Sequence, residues 1–295
     1  MRVTFNQVRD GLTAINTAAE QFATAQWQVS SGLRVRQPSD DPAAAQRAIN
    51  DQADLDEIDA YKSVSASASS RLVAKDSALG NMIEKIQEAL VALQSAQGST
   101  ATQTVRDAAA TTFEGVRDAL LADINTTIGG THLFSGTNSD QAAYARVAGT
   151  WTYQGSTDPM SVGISEGRSV AITMDGQAIM QGSAPQDLLA LVESLATAAR
   201  TNDTATLAAG VTGLNDAFAR VTRAQSQVGY DETSITDGEA RLSSLKLAAT
   251  ARLSADRDAN MAEAMTRMSK AQVTYEAALA AVAKSSRQSL LDYLK

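Results

Sequence analysis

A mainly α fold with a small inserted β subdomain follows from three observations on this chain of 295 residues. Apolar residues recur in alternating steps of three and four at both ends. The stretch from Pro42 to Gln97 holds no further proline and one glycine, Gly80. Between Gly129 and Gly182 glycines recur and apolar residues alternate with period two. Together these predict a long antiparallel helical bundle whose N- and C-terminal helices pair as a coiled coil.

Phe5, Val8, Leu12, Ile15, Ala19, Phe22, Gln26, Val29 and Leu33 set the first heptad stripe, and Gly32 supplies a helix end. Gln37-Pro38-Ser39-Asp40-Asp41-Pro42 is the sharpest boundary. Asp41 fits the N-cap, Pro42 the first helical position, and Asp40 places favourable charge at the positive end of the helix dipole. The helix from Pro42 carries Leu72, Leu79, Ile83, Ile86, Leu90 and Leu93, and would run roughly 80 Å at ~1.5 Å per residue. After Gly98-Ser99-Thr100 a second helix is expected from about Thr104 to Ile128, antiparallel to the first because the connection is short.

Gly129-Gly130 breaks the helical period. Strands are expected at Trp151-Thr152-Tyr153, Met160 to Ile164 and Ser169 to Met174, with hairpin turns at Glu166-Gly167-Arg168 and Asp175-Gly176-Gln177. A helix spans about Gln186 to Arg200. The next carries Leu207, Val211, Leu214, Phe218, Val221 and Val228, and helical patterning resumes near Ile235 after Gly229-Tyr230. Met261, Met265, Met268, Gln272, Tyr275, Leu279 and Val282 form the final heptad stripe. The expected organisation is a terminal coiled-coil assembly domain (1–38 with 256–295), a long-helix bundle (39–135 with 185–255) and a β-rich outer domain (136–184).

Composition narrows the function. Asp plus Glu is 33 against 25 Lys plus Arg, a net charge of −8, which disfavours nucleic-acid binding and docking on anionic membranes. No apolar run approaches the ~18 residues of a membrane span, and Met1 to Gln7 has no signal-peptide core, so no membrane insertion and no cleaved signal are expected. The absence of cysteine removes disulfides, thiolate metal sites and a cysteine nucleophile. The single histidine, His132, stands beside Ser135, but Phe134-Ser135-Gly136 is not a nucleophile elbow. No phosphate-binding loop or dinucleotide fingerprint occurs. No enzyme activity, catalytic residue, cofactor or metal is therefore expected. Six large side chains on the last stripe are few for the length of helix they must order, so the terminal stripes read as surfaces that order when neighbouring copies cover them. The methionines suit a partner of varied shape.

Several motifs resemble the bacterial flagellin family. Gln28-Val29-Ser30-Ser31-Gly32-Leu33-Arg34-Val35 is similar to its N-terminal signature. Pro38-Ser39-Asp40-Asp41-Pro42 is similar to the form found in its hook–filament junction branch. Asp76-Ser77-Ala78-Leu79-Gly80, the segment Gly129 to Thr137, Trp151-Thr152-Tyr153-Gln154-Gly155 and the ending Ser289-Leu290-Leu291-Asp292-Tyr293-Leu294 also favour that branch. The run Ala255-Asp256-Arg257-Asp258-Ala259-Asn260 departs from the more acidic sequence usual there.

The resemblance implies export through the flagellar type III apparatus without a cleaved signal, with an export chaperone as a fitting partner, to an extracellular place in the flagellum. It implies a ring of copies of this chain between the hook-side junction protein (hook-associated protein type 1) and flagellin, with the β domain outward. On that model Phe5, Val8, Leu12, Ile15, Phe22 and Val29 pack with Met261, Met265, Met268, Tyr275, Leu279 and Val282. Pro38, Ser39, Asp40, Asp41 and Pro42 form the bend between domains. The alternatives are a flagellin that builds the filament itself and a non-flagellar coiled-coil scaffold.

Overall fold

The computed structural model describes residues 2–98 and 100–293, with side chains described for 9–98 and 100–284. Seven helices lie among the described residues: α1 (Arg2–Ser31), α2 (Pro42–Gln97), α3 (Gln103–Ile124), α4 (Gly176–Met180), α5 (Leu188–Thr201), α6 (Thr204–Arg257) and α7 (Met261–Tyr293). Three antiparallel hairpins stand between α3 and α4: β1 (Thr127–Ile128) with β2 (Thr131–His132), β3 (Tyr144–Val147) with β4 (Thr150–Tyr153), and β5 (Ser161–Ser165) with β6 (Arg168–Ala171). The chain divides into two compact units, Met1–Glu57 with Leu245–Lys295 and Ile58–Ser244. The division falls inside α2 and α6.

In the unit Ile58–Ser244, α2, α3, α5 and α6 supply one apolar core. Leu72, Leu79, Ile86 and Leu93 of α2 are fully buried with Phe113 and Leu120 of α3, Val192 and Leu195 of α5, and Leu207, Leu214 and Val221 of α6. Side chains fix the helix starts: Thr102 Oγ1 accepts from Val105 N at 3.4 Å and Asp187 Oδ1 from Ala190 N at 2.8 Å. Asn202, in the left-handed region at φ 56°, ends α5.

Helix α3 stops at Ile124, four residues before the expected end. Asn125 leaves the helix to pair both ways with Tyr144, donating to its carbonyl and accepting from its N–H at 2.9 Å each. Gly129 and Gly130, both at positive φ, then turn β1 into β2. Two other expectations are corrected. Asp175-Gly176-Gln177 is the start of α4, with Asp175 Oδ1 capping Gln177 N at 2.8 Å. Gly176 is held there because a Cβ would lie 2.6 Å from the Phe134 carbonyl oxygen. Helix α6 also runs unbroken through Gly229, since Val228 and Ile235 are buried seven residues apart on one face. That burial outweighs the ~1 kcal/mol helix penalty of glycine.

Lys75 lies on the buried face of α2, between Leu72 and Leu79, and is itself fully buried. Its Nζ donates to the Ala171 carbonyl at 2.7 Å and ties the end of β6 to α2.

Candidate assembly surface

Helices α1 and α7 pair antiparallel. Gly11 lies against Val282, where a Cβ on the glycine would be 2.8 Å from Val282 Cγ2. Phe22 stacks on Tyr275 with ring centroids 6.4 Å apart and planes 2° from parallel. The Gly32 carbonyl accepts from Ala259 N at 2.8 Å. Small residues make the tightest part of the seam. Ala18 and Ala25 on α1 and Ala264 on α7 are buried, and Gly11, Ala18 and Ala25 stand seven residues apart. Ala271 and Ala278 continue the spacing on α7 and are half-buried.

These small residues were not singled out from the sequence, although a seven-residue repeat of Gly or Ala beside the large-residue stripe was there to be read. The expected pairing of the terminal helices thus closes along small residues, which let the two backbones approach.

The expected interface residues divide into two sets. Ile15, Phe22, Val29, Met268, Tyr275 and Val282 are half-buried along the edges of the seam. Leu12 (53% exposed), Met261 (39%), Met265 (53%) and Leu279 (41%) face outward. The side chains of Phe5 and Val8 lie outside the described residues. On both helices the apolar stripe is thus wider than the partner helix covers.

Below the seam, the two corners of the unit bind one another. Gly32, at φ 73°, ends α1. Leu33 bridges Asp258, and Arg34 N donates to the Arg257 carbonyl at 2.7 Å. Arg34 then links three segments, with Nη2 on the Asp256 carbonyl at 2.6 Å and Nη1 on Asp41 Oδ2 at 3.0 Å. Arg47 grips the Asp256 carboxylate through Nε and Nη2, the closest contact being 2.6 Å. Arg252 Nε pairs with Asp51 at 2.8 Å.

The five expected bend residues lie in this corner. Asp41 Oδ1 caps α2 through Ala44 N at 3.0 Å, and Pro42 is the first residue of the helix. Asp40 Oδ2 accepts from Arg36 N and Gln37 N at 3.0 and 3.1 Å. Pro38 lines an apolar groove with Leu33, Val35, Ile49 and Leu253, while Ser39 is exposed. Backbone N–H donors hold the Asp40 and Asp41 carboxyls below their usual range, and Arg47 does the same for Asp256. Because these groups are open to solvent, the pairs fix the register of the corner more than they stabilise it.

His132 sits at the end of β2 with Nδ1 on the Asn125 carbonyl at 3.1 Å, and the Ser135 hydroxyl donates to the Gln141 carbonyl at 2.7 Å. The two are committed to separate backbone partners and do not form a nucleophile–base pair. Among the described residues no helix is long and apolar enough to cross a membrane.

Both the sequence and the fold of this chain have counterparts among known proteins. Residues 7–139 match the model of the bacterial flagellin N-terminal helical region, and residues 211–294 that of the C-terminal helical region. The chain belongs to the bacterial flagellin family. Within it, the chain is similar to flagellar hook-associated protein 3 of Escherichia coli, 30% identical over 176 residues that cover 59% of this chain and 54% of the relative. The match thus spans about half the length of that curated relative.

Among solved structures it is similar to a Vibrio parahaemolyticus chain assigned as a flagellar hook-associated protein, with TM-score 0.70 and 22% identity over 74% of this chain and 99% of the other. It is also similar to Bacillus cereus FlgL, with TM-score 0.60 and 14% identity over 70% of this chain and 99% of the other. At these identities the likeness is one of fold.

Proposed function

We propose that this chain is a structural adaptor of the bacterial flagellum, without catalytic activity. It joins the hook, through the hook-side junction protein, to the flagellin filament. It is exported by the type III route, with or without a dedicated chaperone, and adds to the growing tip as a ring of subunits outside the cell. The terminal helices form the assembly domain, the long helices the surrounding bundle, and the hairpin region an outer domain. The assembly contacts comprise Phe5, Val8, Leu12, Ile15, Phe22, Val29, Met261, Met265, Met268, Tyr275, Leu279 and Val282. Pro38 to Pro42 form the bend.

The observation that carries this reading is the outward set Leu12, Met261, Met265 and Leu279 on helices already paired with each other. Large apolar side chains exposed along two adjoining helices need a partner from outside the chain. The Pro-Ser-Asp-Asp-Pro form and the similarity to a relative named hook-associated protein 3 favour a junction over a filament role.

Electron microscopy of the purified protein, alone and with isolated hooks carrying the hook-side junction protein, tests the reading. A junction adaptor stays monomeric alone, adds a short cap to the hooks and then permits flagellin growth. Long filaments from the protein alone under salting-out conditions identify a flagellin instead, and neither behaviour returns the scaffold alternative.

A further inference from the structure

Three of the eight methionines lie within eight residues of α7, at positions 261, 265 and 268. They fall on one helical face, in steps of four and three. Met261 and Met265 are exposed and Met268 is half-buried, whereas Met82 and Met180 are fully buried in the other unit and Met160 and Met174 are half-buried. Ala264, between them in sequence, faces α1 and is fully buried. The thioethers therefore project from a rigid, paired helix toward solvent. With no cysteine in the chain, no thiol competes for oxidant.

We infer that Met261 and Met265, with Met268 at the edge, form an oxidation-sensitive modification site that controls assembly of the free subunit. The inference rests on the proposed role of this face as an assembly contact. The co-reactant is a peroxide. A methionine sulfur attacks one oxygen of hydrogen peroxide, the O–O bond breaks as an S–O bond forms, and water leaves after proton transfer. The sulfur loses two electrons and the peroxide gains them. The product sulfoxide is polar and chiral, and it no longer suits an apolar contact. Methionine sulfoxide reductase reverses the change.

Because Met261 and Met265 are 39% and 53% exposed beside the seam, not buried in it as Ala264 is, oxidation leaves the α1–α7 pair and its alanine contacts in place. The subunit stays folded while its outer face turns polar. Each methionine that an assembly contact buries is worth about tenfold in association. Oxidation of the exposed pair thus weakens addition to hook ends on the order of 100-fold. Once assembled, the same sulfurs are covered, so oxidation acts only on the unassembled subunit.

The test uses the full chain. Mild hydrogen peroxide treatment is followed by peptide mass spectrometry, circular dichroism and addition to hooks scored by electron microscopy. The expected result is sulfoxide first at Met261 and Met265, unchanged helix content, lost addition, and recovery after sulfoxide reductase. Recovery after the reductase ties the lost addition to methionine sulfoxide, the lesion that this enzyme reduces. No recovery of addition after sulfoxide reductase, or normal addition by protein oxidised at Met261 and Met265, overturns the inference. M265R separates this from the underlying reading. If unoxidised M265R adds to hooks like the parent, the face is not an assembly contact and both readings fall. If M265R is blocked but the oxidised parent is not, only the redox inference falls.

Discussion

Replacing Lys75 with Met should change how stability depends on pH. The side chain is fully buried in α2, with Nζ on the Ala171 carbonyl at 2.7 Å. Burial pulls its pKa from 10.5 down to about 8, against the opposing pull of Asp231 and Glu232 on α6. The folded chain therefore releases this proton near pH 8, while the unfolded chain keeps it to about pH 10.5. Between those values the unfolded state binds more protons, so stability rises with pH. Below pH 8 the cost of burying the ammonium is present in full. At about 1.4 kcal/mol per pH unit, the gain up to pH 10.5 is at most about 3 kcal/mol.

Urea unfolding of parent and K75M, followed by circular dichroism at intervals from pH 7 to 10.5, isolates this contribution. Tyr144 and Tyr153, whose pKa values burial raises, titrate alike in both proteins and cancel in the difference. Near neutral pH the two proteins should be similar, because losing the hydrogen bond to Ala171 offsets removal of the buried charge. The parent should then gain on the variant steadily above pH 8. A difference that stays constant across the range would refute the argument and place the proton elsewhere.

Other perturbations have definite expected outcomes. A264L should overpack the α1–α7 seam and cost about 1–3 kcal/mol, seen as a lower thermal midpoint and faster proteolysis of the terminal helices. L12S, at a position 53% exposed, should leave monomer stability within about 0.5 kcal/mol yet impair addition to hooks, which a simple surface role would not do. Asp41 and Asp256 have folded pKa values below 3.8, so their contribution is present above that pH and lost as pH falls through the lower folded values. An acid titration of the Arg47 guanidinium signals by NMR should report release of Asp256 in that window, and D256N should abolish the transition. H132Q should leave addition to hooks intact, since the ring is hydrogen-bonded to the Asn125 carbonyl within the same hairpin region.

The bounds of α2 were legible because Asp41 and Pro42 act locally, through a cap and a fixed φ, and Gly98 follows its last residue. The hairpin at Gly167 and the strand at Trp151 were legible for the same reason. What escaped reading depended on tertiary contacts or on small side chains. Asp175-Gly176 suits a turn or a helix cap equally well, and only the Phe134 carbonyl decides between them. Gly229 reads as a break unless Val228 and Ile235 are known to face one core. Lys75 occupies an apolar position in the series Leu72, Lys75, Leu79, Met82, and that placement was a usable signal of burial. At the candidate surface the large residues drew attention to the stripe, but the seven-residue spacing of Gly11, Ala18 and Ala25 sets which edge faces α7.

That division of labour bears on how such a subunit behaves before and after assembly. Small residues close the seam within the chain, so Leu12, Met261, Met265 and Leu279 of the expected interface residues remain outside it. Fully buried from full exposure they would contribute about 6–12 kcal/mol. They begin roughly half-exposed, which leaves about 3–6 kcal/mol for an outside partner. One contact of that size does not overcome the ~4–15 kcal/mol lost in bringing two molecules together. Two free copies should therefore stay apart. On the proposed role, an incoming subunit at a hook end would meet several neighbours at once, and later contacts would no longer carry the full cost of association. A seam built from the large residues would have closed the terminal pair more firmly and left nothing for the neighbours. On the proposed role, an alanine seam would keep free copies apart while leaving apolar side chains for the neighbours at an end.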